Sequence, residues 1–167
     1  MLLAKSNGIC AMDVLAQGFQ WDEALKIVER AEDTFNRGDI DAILSRYADD
    51  VVVRFAGIRE IRGKTAAETF LRARFARQKN YKLKKTLFMV DGFKIGATYT
   101  ASWKDAKTGK PMLGSGVEFW QYRDGKLVLW DAAMNVWEVG ADNHIVTNQL
   151  SVWTIITKAW AHKNMYR

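Results

Sequence analysis

The sequence predicts an α+β fold in which helices pack on one side of a strongly curved, mostly antiparallel sheet. Apolar residues recur at helical spacing over much of residues 21–78, whereas residues 81–137 read as four consecutive segments with strand character. Asp-Gly pairs at 91–92 and 124–125 separate these segments, and Asp-Gly is a strong signal for a hairpin turn. The 167 residues are enough for one domain with a substantial core.

The first helix is predicted over residues 21–37. Asp22 is a candidate N-cap, and Gly38 stands just past the end of the apolar stripe, where a left-handed residue commonly ends a helix. Asp39 can cap a second, short helix, which Asp49 and Asp50 end. The N-terminal part therefore contains two helices in succession.

A third helix is predicted from the capping-box pattern of Thr65 and Glu68, and it runs to about Gln78. A short β-branched strand, residues 51–55, precedes it and carries Arg54 after three valines. Two further strands are predicted over residues 81–90 and 93–104. In the first of these, Lys85 interrupts the alternation of apolar and polar side chains.

Residues 112–137 are predicted to form a long hairpin around which the domain is organised. In its first strand Glu118, Trp120 and Tyr122 share one face, because side chains alternate along a strand. A carboxylate among aromatic side chains on a central strand is costly to desolvate unless a partner compensates it. The hairpin therefore indicates a polar pocket lined by the sheet.

The opposite face of the hairpin is predicted to be apolar and to point outward. Its members are Val117, Phe119, Val128, Trp130 and Met134. A patch of this kind is typical of an interface, so we expect a homodimer through the outer sheet face.

Composition and charge narrow the function classes. Residues 54–85 hold eleven Lys and Arg against two Glu, within a chain of net charge +6. This concentration is compatible with nucleic-acid binding, but a solvated helix face and a lysine-protected strand edge are favoured because no nucleic-acid-binding motif accompanies it. The lone Cys10 and the separated His144 and His162 indicate a cytoplasmic protein without a structural zinc site. No membrane span is expected.

Residues 1–20 are predicted to be an N-terminal tail, residues 21–140 the domain, and residues 141–167 a C-terminal extension. The extension places Leu150, Trp153 and Trp160 on one helical face, although residues 152–157 also have strong β propensity. A helix is favoured there.

Several motifs together resemble a known superfamily. They are Ala31-Glu-Asp-Thr-Phe-Asn36, Tyr47-Ala-Asp-Asp50, Phe70-Leu-Arg-Ala-Arg-Phe-Ala76 and Gly116-Val-Glu-Phe-Trp-Gln-Tyr122. Residues 21–139 resemble the nuclear transport factor 2-like (SnoaL-like) superfamily, closest to an uncharacterised bacterial branch. The resemblance implies a cone-shaped α+β barrel with three N-terminal helices.

The superfamily includes ketosteroid isomerases, polyketide cyclases, dehydratases, epoxide hydrolases and non-catalytic binding modules, so the fold alone does not determine function. The isomerase pattern has an acidic base in the first strand, where this sequence reads Arg54-Phe55. The resemblance therefore argues against a steroid isomerase. It implies no metal and no cofactor.

The resemblance also implies which residues meet in the cone. Arg54, Glu118 and Asn135 are expected to be neighbours, with Glu118 as general acid or base and Arg54 or Asn135 holding a carbonyl or carboxylate of the ligand. The remaining expected pocket residues are Asp131, Trp120, Tyr99 and Trp103. A buried structural Arg54–Glu118 pair is the alternative, Asp131 can equally face solvent or a dimer surface, and the tryptophans can belong to the core.

Two functions follow from this site. One is a cofactor-independent lyase, isomerase or cyclase that acts on a hydrophobic carbonyl compound by proton transfer at Glu118. The other is a non-catalytic module that binds a metabolite in the pocket or a protein on the outer sheet face.

Overall fold

The computed structural model describes residues 18–141, so residues 1–17 and the extension from residue 142 onward lie outside it. The helices are α1 (Trp21–Arg37), α2 (Ile40–Leu44) and α3 (Lys64–Arg77). The strands are β1 (Tyr47–Phe55), β2 (Ile61–Arg62), β3 (Gln78–Asp91), β4 (Lys94–Asp105), β5 (Pro111–Arg123) and β6 (Lys126–Glu138). Among the described residues no helix is both long and apolar enough to cross a membrane.

The strands form one six-stranded sheet in the order β2-β1-β6-β5-β4-β3. Neighbouring strands are antiparallel except β1 and β6, which run parallel. The sheet is curved and not closed, and the three helices pack against it. The predicted α+β cone is therefore confirmed.

The boundaries of α1 and α3 agree closely with the sequence pattern, whereas α2 ends at Leu44, and the predicted stop at Asp49 and Asp50 lies inside β1. Two caps also differ. Gln20, not Asp22, precedes α1, and its backbone N–H donates to the Glu23 carboxylate at 3.0 Å. The predicted capping box of Thr65 and Glu68 does not form, because α3 begins at Lys64, directly after Gly63. Asp39 caps α2 as predicted, accepting a hydrogen bond from the Ala42 N–H at 3.0 Å.

Helix α1 is fastened to the free edge of β3 by two polar side chains that bond to the strand backbone. The Asn36 amide donates to the Leu83 carbonyl at 3.0 Å and accepts from the Leu83 N–H at 2.7 Å. One turn earlier, the Glu32 carboxylate accepts from the Lys85 N–H at 2.7 Å. These bonds fix α1 along this edge of the sheet, and its residues Ala24, Val28 and Phe35 are buried in the core.

Strand β6 contains one extra residue relative to β5. Tyr122 pairs with Leu127 and Gln121 with Leu129, so Val128 has no partner of its own. Such a bulge shifts the alternation of side chains between the two faces of a sheet. Beyond it, Trp130 faces inward.

The prediction that Trp130 and Met134 lie on the outer face is therefore wrong. Trp130 is opposite Trp120 and 4% exposed, and Met134 packs against the core. Val117 and Phe119 do lie outside, at 45% and 51% exposure.

Candidate functional site

The interior of the cone holds a buried ion pair between Lys85 on β3 and Glu118 on β5. Their side chains are 3% and 1% exposed, and the Lys85 ammonium donates a hydrogen bond to one carboxylate oxygen. The other oxygen accepts from the indole N–H of Trp130 at 3.0 Å. Both oxygens of Glu118 thus have a protein donor, which compensates for the cost of burying the carboxylate.

Aromatic rings surround the Lys85 ammonium. Its nitrogen lies 5.0 Å from the ring centroid of Trp120, 5.2 Å from that of Tyr99 and 5.7 Å from that of Phe35. These distances are within cation–π range. Ala97 stands opposite Glu118 on the intervening strand β4 and is too small to separate the carboxylate from Lys85.

The surroundings of Lys85 lower the pKa of its ammonium group. Burial is the largest cause, and the positive charge of Arg74 acts in the same direction, whereas Glu118 opposes both. Lys85 is therefore closer to releasing its proton at neutral pH than an ordinary lysine is.

Arg74 is a second partly buried cation beside this group. Its guanidinium donates to the Gln78 side chain at 2.8 Å and to the Tyr81 hydroxyl at 3.0 Å. It also lies within 6.0 Å of the ring centroids of Phe55 and Trp130. It forms no ion pair with any residue in the range 18–141.

A cavity of about 40 Å³ adjoins the ion pair. Because one water needs roughly 10–15 Å³ of such space, the cavity has room for a chemical group of a few atoms. Most of its wall is apolar or aromatic. The residues that line it are Ala31, Thr34, Phe35, Ile43, Arg46, Tyr47, Lys85, Glu118, Trp120, Tyr122, Leu127 and Trp130.

The expectation that Arg54 neighbours Glu118 is wrong. Val51 and Val53 occupy the inward positions of β1, so Arg54, the residue after Val53, points out of the cone. Its guanidinium contacts Glu60 at 2.6 Å and lies 3.9 Å from Asp131 on the exterior. Asp131 is accordingly outside the cavity, its side chain 45% exposed.

The other predicted pocket residues divide in the same way. Asn135 pairs with Ser115, a position that alternates with the inward Gly114 and Gly116, so it belongs to the outer face. Trp120, Tyr99 and Trp103 are buried. Of these three, Trp120 lines the cavity, whereas Tyr99 contacts the ammonium of Lys85 and Trp103 packs on Tyr81.

Sequence reasoning missed Lys85 as the partner of Glu118. The alternation of side chains along the strand could have revealed it, because Lys85 stands at an inward position between Leu83 and Leu87, both of which are buried. An ionisable residue in the apolar phase of a strand requires a partner, as Glu118 does. The cavity residues Tyr47 and Tyr122 were also not recognised as polar site residues.

Comparison with known proteins agrees with this architecture. Residues 17–147 match the family model described as protein of unknown function (DUF1348). This chain belongs to the DUF1348 family. A search of curated proteins finds no match to the chain.

The DUF1348 chain shares its fold with solved structures, among them nuclear transport factor 2-like proteins. A polyketide cyclase candidate from Xanthomonas campestris pv. campestris is 25% identical, with a TM-score of 0.62 over 67% of this chain and 90% of that one. An LEH-like epoxide hydrolase from M. tuberculosis is 21% identical, with a TM-score of 0.55 over 68% and 84%. An isomerase candidate from Bacillus subtilis is 16% identical, with a TM-score of 0.61 over 68% and 87%. The latter two likenesses concern the fold alone.

Proposed function

We propose that this protein is a cofactor-independent enzyme of the lyase, isomerase or cyclase type that acts by proton transfer in the interior cavity. The observation that carries the proposal is the Lys85–Glu118 pair, an acid and a base joined by a hydrogen bond on the wall of a cavity. Titratable groups that are buried, paired and next to a cavity are characteristic of active sites.

The chemistry begins with the Glu118 carboxylate as general base. It takes a proton from a carbon next to a substrate carbonyl, so the carboxylate becomes a carboxylic acid and the substrate an enolate. Returning the proton to another carbon gives an isomerisation, and returning it to a departing oxygen gives an elimination. The ammonium of Lys85, held against the same carboxylate, sets how strongly the carboxylate attracts the proton.

The names of the similar structures agree with this reaction type. The Xanthomonas protein is a cyclase candidate and the Bacillus protein an isomerase candidate. Cyclisations and isomerisations of carbonyl compounds both require proton transfer to or from carbon.

A non-catalytic binding module is the second candidate function. It is favoured by the fact that both Glu118 oxygens already accept hydrogen bonds from protein donors. In such a module the Lys85–Glu118 pair would only hold β3 against β5, and the cavity would hold a ligand without changing it.

Deuterium exchange separates the two candidates. The protein is mixed in D₂O with acetoacetate, hydroxyacetone and cyclopentanone, and the loss of the proton signals next to each carbonyl is followed by NMR. We expect faster exchange of at least one probe and a loss of about 10²-fold or more in Glu118→Gln and in Lys85→Met, the usual scale of acid–base catalysis.

The matched control is the exposed pair of Lys110 and Glu138, which are 2.7 Å apart. Glu138→Gln should exchange the probes as the unmodified protein does. Probe binding, seen as a shift of the Trp130 indole signal, without any accelerated exchange would favour the binding module. Equal exchange in Glu118→Gln and the unmodified protein would also contradict the enzyme proposal.

We further propose a homodimer through the outer sheet face. Exposed apolar side chains at Val117 and Phe119 support it, since a patch of this kind is typical of an interface. Sedimentation at micromolar concentration should give a dimer, and Phe119→Lys should shift it towards monomer. A monomer in the unmodified protein would contradict this proposal.

A further inference from the structure

Two tyrosine hydroxyls face the cavity without a protein partner. Tyr47 and Tyr122 both line it, and neither hydroxyl forms a hydrogen bond with a residue in the described part of the chain. Tyr47 is 5% exposed as a residue. Because every fully buried side-chain oxygen and nitrogen among the described residues has a partner, the unpartnered Tyr47 hydroxyl keeps some accessible area, and Tyr47 is a residue of the cavity wall.

Both phenols remain protonated in this setting. Burial raises the pKa of Tyr47, and the proximity of Tyr122 and Glu118 raises it further. Burial also raises the pKa of Tyr122. Two protonated phenols and Glu118 therefore line the same small cavity, and an oxygen acceptor of a ligand there can receive hydrogen bonds from both phenols.

The mouth of the cavity is positively charged. Arg46 lines the cavity, is exposed, and forms no ion pair with a described residue. Arg46 and Tyr122 line the same cavity, and the positive charges of Arg46 and Arg30 both act to lower the pKa of Tyr122. Lys126 donates to the carbonyl of Ser45, the residue before Arg46, at 2.7 Å.

The nearby carboxylate of Asp50 does not neutralise the positive charge at the mouth of the cavity. Asp50, on the same strand as Tyr47, is held by Arg123 at 2.8 Å. Asp50 therefore does not neutralise Arg46, whose guanidinium is available to an anionic group of a ligand.

We infer that the cavity binds a small oxo acid, with its carbonyl oxygen on the hydroxyls of Tyr47 and Tyr122 and its carboxylate on Arg46. This inference rests on the proposed function and names its substrate class. The volume of about 40 Å³ agrees, since it accommodates a carbonyl carbon and one small substituent while the carboxylate remains at the mouth. An enolate oxygen formed by proton transfer to Glu118 would then lie between the two phenols.

Three probes of matched length test the inference. Acetoacetate carries both groups, 4-hydroxy-2-butanone keeps the ketone without the charge, and butyrate keeps the carboxylate without the ketone. Titrations followed by the indole NMR signals of Trp120 and Trp130 give their affinities. We expect acetoacetate to bind about tenfold more tightly than either partial probe, because one charge-assisted hydrogen bond contributes on that scale.

Single substitutions identify which residue holds which group. Arg46→Gln should remove the preference of acetoacetate over 4-hydroxy-2-butanone and leave the latter unchanged. Tyr47→Phe and Tyr122→Phe should each weaken the binding of acetoacetate about fivefold, since each removes one hydrogen bond to the carbonyl. The affinity for butyrate should not change. Arg59→Gln, an exposed arginine away from the cavity, is the matched control and should change nothing.

The same titrations in Glu118→Gln separate this inference from the proposed function. If the preference for acetoacetate persists while the unmodified protein exchanges no probe, proton transfer is refuted and the oxo-acid site stands. If exchange occurs but Arg46→Gln, Tyr47→Phe and Tyr122→Phe bind all three probes as the unmodified protein does, the oxo-acid site is overturned. Equal affinity for the three probes, or no binding of acetoacetate at millimolar concentration, overturns it as well.

Discussion

Glu118→Leu should cost about 3–5 kcal/mol of unfolding free energy, because it leaves the Lys85 ammonium buried without a counter-charge. The loss is large beside the roughly 5–15 kcal/mol that stabilises a typical domain. Adding Lys85→Met should recover most of it, since a buried ion pair replaced by apolar side chains of similar size is often neutral or stabilising. Chemical denaturation of the two single variants and the double variant gives the coupling energy.

The same set of two single variants and one double variant at Lys110 and Glu138 is the control for this prediction. Their side chains are 55% and 39% exposed, and exposed ion pairs contribute about 0–1 kcal/mol. A coupling energy as small at Lys85 and Glu118 as on the surface would contradict the picture of a desolvated pair.

The same variants report the pH dependence of stability. The folded protein holds the pKa of Lys85 below its ordinary value of 10.5, so between the two pKa values the unfolded chain binds more protons than the folded one. Unfolding free energy therefore rises with pH in this window, by at most about 1.4 kcal/mol per pH unit for one proton. Glu118, Arg74, Glu32 and Tyr99 are the charged or titratable groups around Lys85, and they are unchanged in Lys85→Met. That variant should lack this component of the slope.

Gly116→Ala should be the other strongly destabilising change, by about 3 kcal/mol or more. A Cβ at Gly116 would collide with the backbone carbonyl of Ala133 on β6 and lie 2.8 Å from the Tyr99 ring. The carbonyl cannot move without disturbing the pairing of β5 with β6, and Tyr99 is packed against Lys85. Urea unfolding midpoints measure the loss.

Gly96→Ala is the matched control on the neighbouring strand. A Cβ there would lie 2.5 Å from Cγ of Met89, a flexible side chain that is 42% exposed and free to turn away. We expect a loss of about 1 kcal/mol or less. Equal losses at Gly96 and Gly116 would show that the backbone contact at Ala133 is not the cause.

The sequence was sufficient for the parts of the fold that depend on local patterns. Periodicity located α1 and every strand except β2, Asp39 and Gly38 marked the break between the first two helices, and alternation placed Glu118 inside with Trp120. Burying a carboxylate has a cost wherever it occurs, so the need for a partner was also predictable. These conclusions require no knowledge of which strands are neighbours.

The errors concern register and long-range pairing. The inward turn of Trp130 depends on the unpaired Val128, and a bulge is a property of two strands together. Lys85 and Glu118 lie on strands separated by β4, so no local pattern connects them. Arg54 was predicted to neighbour Glu118 from the family resemblance. However, it alternates with the apolar residues Val51, Val53 and Phe55, which already suggested that its side chain points outward.

The parallel pairing of β1 with β6 has a consequence for how the site comes into existence. It joins Tyr47, near the start of the described chain, to Leu127, near its end, whereas β3 to β6 follow one another as a meander with short connections. Contacts between sequence-distant segments carry the larger loop-closure entropy and tend to form late. Tyr47 comes from β1 and Trp130 from β6, so the cavity wall is complete only when these two segments meet. During synthesis the meander can assemble before the cavity exists, and a ligand of the cavity therefore recognises only chains that have finished folding.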